Sequence, residues 1–237
     1  MKKTLVKSLA MTFVGSLLVA GTAMAIPTLD FGVIAPSTGS ISYSGGNAPL
    51  VGSGISVDEV VGLDTVINNG IIFKVLNGLL NFSTGALTGT WEWGGSPNSS
   101  ISVVGTVDLN NNGLVDGTDI TGTLLQGNFG VAEVDHLSGV FHIAGAAFTD
   151  YKNPDLLDLY GLPTTDSNGN QMQYSGNFNL SFAAVFVADG AAFTSTRINS
   201  GDITNTPVPE PATMLLLGTG LVGLAGARRR NKAAKKV

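Results

Sequence analysis

The chain has 237 residues and a formal net charge of −5, and it contains no cysteine. Basic residues are concentrated at the two ends, so residues 26–207 carry sixteen acidic and three basic side chains, a net charge of −13. Binding nucleic acid requires Lys and Arg to neutralise phosphates, so this balance argues against nucleic acid and favours cations or neutral polymers as partners. Without disulfides, stability depends on a packed core or on bound metal.

The N-terminal segment has the pattern of a secretory signal peptide. Three lysines within the first seven residues precede an apolar stretch over 9–20, and Ala23-Met24-Ala25 forms a small-residue cleavage site. The alternative, a transmembrane anchor, needs about 20 apolar residues and no such exit. We therefore expect export, removal of residues 1–25 by signal peptidase, and a mature chain that begins at Ile26.

The segment over 26–198 has the pattern of one all-β domain. Apolar residues recur with period two in short runs separated by Gly, Asn, Ser and Thr, which is typical of half-buried antiparallel strands. Many short strands joined by such turns favour a single antiparallel β-sandwich or jelly roll, flanked by the signal-peptide helix and a C-terminal transmembrane helix. The expected strands are 55–61, 71–75, 86–93, 101–109, 122–129, 139–148, 177–187 and 192–198, with weaker strands near Phe31 and Ile41.

One short helix and one linker are predicted within this pattern. Asn153 is suited to an N-cap, Pro154 to the first helical position and Gly161 to the exit, so a helix is expected between them. Residues 199–207 are rich in Thr and Asn and end at Pro207. We interpret them as a linker to the C-terminal tail.

A loop with the spacing of an EF-hand-like calcium site covers residues 108–119. Oxygen-bearing side chains stand at positions 1, 3, 5, 9 and 12, and Gly113 stands at position 6, where a sharp turn is needed. These ligands are Asp108, Asn110, Asn112, Asp116 and Asp119. An Asn-Gly hairpin turn uses the same residues without metal and remains an alternative. The run Asp166, Asn168 and Asn170 is a second, poorer candidate.

Two tryptophans, Trp91 and Trp93, lie two residues apart and therefore share one face of their strand, with Glu92 opposite. A stacking platform for sugar rings is the functional interpretation, and a core-facing pair is the structural one. The functional interpretation makes the domain a carbohydrate-binding module.

No signature of catalysis accompanies these features, and we expect no enzymatic activity. The chain has no G-x-S-x-G elbow. His136 and His142 are six residues apart, about 20 Å along a regular strand and too far to chelate one metal. Carboxylates brought together from distant strands, such as Glu92 and Glu133, leave a secreted hydrolase as a further alternative.

The C-terminal tail has three parts in a fixed order. Val208-Pro209-Glu210-Pro211 is held extended by its prolines, and residues 212–227 form an apolar run long enough for a thin bilayer. Arg228-Arg229-Arg230 then holds the end in the cytoplasm by the positive-inside bias, followed by a basic tail over 231–237.

This order resembles the PEP-CTERM sorting signal of Gram-negative bacteria, and the resemblance covers the tail alone. It implies that the membrane enzyme exosortase recognises Pro209, Glu210 and Pro211 and detaches the helix. It further implies a protein of the cell envelope, outer surface or extracellular matrix, transiently anchored in the inner membrane and associated with exopolysaccharide or biofilm. A membrane anchor that is never cut is the alternative.

Overall fold

The computed structural model describes residues 25–95, 98–137, 140–184, 188, 190–208 and 220. These residues form twelve strands and one short helix, which confirms the all-β class. The elements are β1 (Thr28–Val33), β2 (Ser40–Tyr43), β3 (Leu50–Leu63), β4 (Ile72–Ser83), β5 (Leu87–Gly89), β6 (Glu92–Gly94), β7 (Ser100–Asp108), β8 (Ile120–Leu137), β9 (Val140–Lys152), α1 (Pro154–Tyr160), β10 (Tyr174–Ala183), β11 (Phe193–Ser195) and β12 (Arg197–Pro207).

Hydrogen bonding joins the described strands into one antiparallel sheet that closes on itself. The path runs β1, β12, β10, β9, β8, β7, β4, β3. It closes because Leu29 of β1 pairs with Asn205 of β12 on one side and with Gly62 of β3 on the other. A sandwich or jelly roll has two separate sheets, whereas here β1 joins the two halves of a single sheet.

The two halves of the sheet pack face to face around an apolar core. The Phe82 ring of β4 lies 5.3 Å from the Phe178 ring of β10, although three strands separate them along the ladder. Glycine makes room for these rings: a Cβ on Gly52 would lie 2.0 Å from Phe82 Cε1, and one on Gly176 would lie 2.1 Å from Phe148 Cζ. Burial of such side chains contributes about 1.5–3 kcal/mol each.

One end of the closed sheet gathers both termini of the domain, and we call it the exit end. The register places Thr28 opposite Leu63, and Tyr174 opposite both Asp150 and Pro207. The connections β3–β4, β7–β8 and β9–β10 therefore lie at this end, together with the start of β1 and the end of β12.

Helix α1 is confirmed with its predicted caps. The Asn153 side chain accepts a hydrogen bond from the Asp155 N–H at 2.9 Å, and Pro154 occupies the first turn. Gly161 ends the helix in the left-handed conformation, with φ of 66°. Leu156 and Leu157 are fully buried, so the helix packs onto the core at the exit end.

The linker predicted over 199–207 is wrong, because these residues belong to β12. This strand pairs with β10 along almost its whole length and with β1 over residues 201–205. Its inward-facing Ile203 and Asn205 are buried, and Gly201 packs so closely on Leu180 that a Cβ would lie 2.5 Å from Leu180 Cδ1. The strand was missed because its outward face is polar and its inward face carries few large side chains.

One predicted strand is divided by a turn in the structure. The strand expected over 86–93 becomes β5 and β6, with Trp91 between them at a positive φ of 58°. The histidines lie on separate strands, His136 on β8 and His142 on β9, rather than on one.

The described residues contain no helix long and apolar enough to cross a membrane. Residues 1–24, which cover almost all of the predicted signal peptide, lie outside the described part of the chain. The apolar run over 212–227 also lies outside it, apart from Gly220.

Candidate functional site

An open groove of about 430 Å³ lies on the outer face of β8 and β9, beside the first turn of α1. Period-two alternation sends the groove side chains outward, while their chain neighbours Gly127 and Asp150 face the core. The side chains that define the groove are amides, hydroxyls and one aromatic ring: Gln126, Asn128, Thr149, Tyr151, Gln171 and Gln173.

Strand register places the first four of these side chains in two directly opposed pairs. Gln126 of β8 faces Tyr151 of β9, and Asn128 faces Thr149. Directly opposed positions bring Cβ atoms to about 5 Å, so each pair forms one continuous surface. Gln171 follows α1, and its Nε2 donates to the Lys152 carbonyl at 3.1 Å. That bond fixes the far wall of the groove against β9.

Several of these polar groups have no partner in the described part of the chain. The side chains of Gln126, Thr149 and Gln173 and the Tyr151 hydroxyl make no hydrogen bond with described residues. Tyr151 is 44% exposed, so part of its ring is open to solvent. Each amide offers one acceptor and two donated hydrogens. The groove therefore presents neutral hydrogen-bonding groups beside an accessible aromatic ring.

A buried ion pair lies on the core side of the same strand. Lys152 Nζ donates to both carboxylate oxygens of Asp150, at 2.7 and 2.8 Å, and both side chains are 0% exposed. Asn205 Nδ2 donates to Asp150 Oδ2 at 2.8 Å, and Lys152 Nζ lies 4.9 Å from the centre of the Tyr174 ring. Asp150 therefore neutralises the charge of Lys152, and Lys152 adds no net charge to the groove.

Burial opposes ionisation of both members of this pair. Desolvation raises the pKa of the Asp150 carboxyl above its usual value, although the Lys152 ammonium partly offsets that effect. Desolvation lowers the pKa of Lys152 to about 8, with Asp150 opposing the shift. The two short contacts are those of charge-assisted hydrogen bonds, which offset the cost of holding two charges in the core.

The predicted calcium loop forms the β7–β8 connection at the exit end. Asp108 is buried, and its two carboxylate oxygens accept hydrogen bonds from the N–H groups of Asn112, at 3.2 Å, and Gly113, at 2.8 Å. Asp119 accepts from the N–H groups of Leu109 and Asp116, both at 3.0 Å. These bonds wrap the loop around its own carboxylates.

The remaining ligand candidates converge on Asp116. Its Oδ2 accepts from Asn110 Nδ2 at 3.0 Å and from Asn112 Nδ2 at 2.9 Å, and its Oδ1 accepts from the Thr118 hydroxyl at 2.6 Å. The Thr118 hydroxyl and N–H, followed by the two amides, hold the pKa of Asp116 well below its usual range. Among the described residues, no three His, Cys, Asp or Glu side chains are grouped so as to hold a metal ion. Calcium binding here stays a prediction.

The second candidate loop is a tight turn. Asp166 accepts hydrogen bonds from the N–H groups of Asn168, at 2.9 Å, and Asn170, at 2.8 Å. Bonds from Asn170 and Asn168 lower the pKa of Asp166.

The structure corrects the sugar-platform interpretation of the two tryptophans. Trp91 is 5% exposed and Trp93 is 0% exposed, and the Trp93 indole donates to the Ala48 carbonyl at 3.1 Å. The Tyr43 ring packs edge-on against Trp93 at 5.2 Å, and Phe141 lies 5.9 Å from Trp91. A platform needs an open ring face, and these rings are enclosed by other aromatic side chains.

The sorting motif begins where the described domain ends. The Val208 N–H donates to the Gln173 carbonyl at 3.1 Å, which holds the start of the tail beside β10. Comparison with protein-family models matches residues 207–230 to the PEP-CTERM protein-sorting motif. The chain carries a PEP-CTERM sorting motif. Pro209, Glu210, Pro211, Arg228, Arg229 and Arg230 fall inside the match but outside the described residues.

The PEP-CTERM motif confirms the resemblance found in the tail. It implies that the protein is exported, processed by an exosortase and sorted to the cell envelope or surface. No match was found among curated proteins or among solved structures.

The groove was not foreseen in the sequence. Its residues come from three separate segments, and Gln or Thr on a strand carries no signal of its own. The alternation around Thr149 and Tyr151 does place both on the outward face, but only the register of β8 against β9 brings Gln126 opposite Tyr151.

Replacing Lys152 with Met is expected to destabilise the fold by about 3–5 kcal/mol, because it leaves the Asp150 carboxylate buried without its cation. Urea unfolding at pH 7 measures the loss. The deficit should shrink as pH falls, since the raised pKa of Asp150 means that the folded variant takes up a proton more readily than the unfolded chain.

The exposed Lys74→Met on β4 is the control, with an expected change within about 0.5 kcal/mol. Equal stability of Lys152→Met and Lys74→Met would show that the buried pair is not structurally important.

Proposed function

We propose that this protein is a non-catalytic component of the cell surface or extracellular matrix, sorted there by exosortase and associated with exopolysaccharide. The observation that carries the proposal is the joining of a PEP-CTERM motif to an all-β domain whose groove presents neutral amides and hydroxyls. Before processing, the apolar run over 212–227 anchors the protein in the membrane.

Charge supports a neutral partner rather than a phosphate-rich one. Residues 26–207 contain Lys74, Lys152 and Arg197 as their only basic residues. The charge of Lys152 is neutralised by its buried ion pair with Asp150. Nucleic acid binding depends on many Lys and Arg contacts with phosphate. A neutral polysaccharide carries no charge for the acidic surface to repel.

The chemistry of the groove fits a polyhydroxylated chain. Sugar hydroxyls both donate and accept hydrogen bonds, as do the side-chain amides of Gln126 and Gln173. A ring such as Tyr151 offers an apolar face that packs against the C–H face of a sugar while its hydroxyl stays hydrated. The groove is open to solvent, which suits an internal stretch of a polymer.

Tyr151→Ala is expected to weaken binding of the host's exopolysaccharide about three- to tenfold, because the packing face of the groove is removed. Affinity electrophoresis in gels containing the purified polysaccharide measures the change in retardation. Leu79→Ala, which truncates an exposed side chain on β4 outside the groove, is the control. Equal retardation of Tyr151→Ala and the parent chain would place the polysaccharide elsewhere.

A secreted hydrolase is the rival function. Glu92 of β6 and Glu133 of β8 are exposed and directly opposed in the ladder, a spacing compatible with paired glycosidase carboxylates. We propose that they are solvated surface groups. Release of oligosaccharides from the polysaccharide by the parent chain, lost in Glu92→Gln, would overturn the non-catalytic assignment.

The sorting route predicts two chain ends that mass spectrometry reads directly. Protein recovered from the surface and medium of its host is expected to start at Ile26 and to end within 209–211. This truncated mass should disappear when the host's exosortase is deleted. A mass that corresponds to a chain ending at Val237 in both strains would instead show that the protein stays anchored in the membrane.

We also propose that calcium stabilises the loop over 108–119. The loop already holds Asp108 and Asp119 in fixed orientations through backbone N–H groups, and displacement of the two amide donors on Asp116 would free its oxygens for a hard cation.

Millimolar Ca²⁺ should then raise the melting temperature, and chelator should reverse the rise, because a ligand of the folded state adds about 2.7 kcal/mol at a hundredfold excess over Kd. Asp116→Asn should abolish the shift, and Asp166→Asn in the other turn should retain it. No shift in the parent chain would remove calcium from the proposal.

A further inference from the structure

Large exposed hydrophobic side chains are concentrated at the exit end. Eleven such side chains occur in the described part of the chain, and eight of them lie at this end. Isolated exposed apolar residues are ordinary, but clustered ones mark a surface that meets another apolar phase. Six lie in or directly beside the neighbouring β3–β4 and β7–β8 connections, and we call them the apolar rim: Val66, Ile67, Ile71, Ile72, Leu114 and Val115.

The β3–β4 part of the apolar rim is held rigidly in its exposed position. The Ile67 N–H donates to the Tyr160 carbonyl at 3.3 Å, and Asn68 Nδ2 donates to the Leu159 carbonyl at 2.8 Å. Both bonds tie the loop to α1. Val66 is left 85% exposed at the tip.

The β7–β8 part of the apolar rim is fixed by the hydrogen bonds of its own loop. The Leu114 N–H donates to Asn112 Oδ1 at 2.7 Å, and the preceding Gly113 N–H donates to the buried Asp108. Leu114 is 68% exposed. The register of Lys74 with Asp108 makes β4 and β7 neighbours, so the two connections lie side by side.

The chain leaves the domain at the same end, toward its apolar run. Pro207 is the last residue of β12, and Ala212 begins the run five residues later. An extended chain covers at most about 3.5 Å per residue, so the run starts within about 18 Å of the exit end. Any membrane that holds the run is therefore close to the apolar rim.

We propose that the apolar rim rests on the lipid surface of the membrane while the sorting tail is still attached. The inference depends on the proposed function, which places the run over 212–227 in the membrane before processing. The net charge of −13 over residues 26–207 favours a zwitterionic surface over an anionic one. The rim then orients the domain with its exit end toward the bilayer.

Single cysteines test this arrangement cleanly, because the chain has none of its own. The exported chain over 26–237 is reconstituted into phosphatidylcholine vesicles containing brominated lipid, with an environment-sensitive fluorophore on Val66→Cys or Leu114→Cys. Both labels are expected to shift to the blue and to lose at least half of their emission to the bromine atoms. Asn47→Cys, in the turn between β2 and β3 at the opposite end, should show neither change.

A label on Leu216→Cys separates failure of this inference from failure of the proposed function. Quenching at Leu216 without quenching at Val66 and Leu114 would show that the tail inserts but the rim stays in water, which overturns the inference alone. Absence of quenching at Leu216 would overturn the membrane stage of the proposed function and the rim proposal with it. Quenching at Asn47 equal to that at Val66 would show non-specific adsorption and would overturn the rim proposal.

Discussion

The double pairing of β1 is the constraint on which the rest of the molecule depends. A strand of six residues satisfies backbone donors and acceptors on both sides, with β12 and with β3, and thereby joins the first and last long strands of the domain. An open sheet of this length would expose two long unpaired edges, which invite association with other chains. Closure covers these positions, and it brings the N-terminal and C-terminal strands together at the exit end.

The strand β9 shows how the closed sheet separates two kinds of chemistry by one residue. Asp150 faces inward and pairs with Lys152 beneath α1, whereas Tyr151 faces outward into the groove. A charged pair inside a protein is rarely a source of net stability, but removing one partner is costly. The pair therefore holds the end of β9 in place. It also keeps the charge of Lys152 away from the groove, whose other groups are neutral.

Sequence reasoning succeeded where a residue's local chemistry decides its conformation. Asn153, Pro154 and Gly161 set the ends of α1 by their own backbone preferences, and they behave as predicted. It failed where partners distant in the chain decide the outcome. Residues 199–207 are polar enough to read as a linker, yet β1 and β10 supply their hydrogen bonds from both sides. The tryptophans were assigned to the correct face, but only packing against Tyr43 and Phe141 decided that the face was the core.

The proposed sorting and release would place opposite demands on the exit end, and its composition suits both. A tether raises the local concentration of the loops at the membrane, so contacts too weak to hold a free protein become populated while the tail is attached. Thr118 and two amides stabilise the charge of Asp116 beside Leu114, and a charge at this position would limit how deeply the loop could enter lipid. The proposed cleavage within 209–211 would remove the tether, and contacts this weak would then not retain a domain carrying −13 charges.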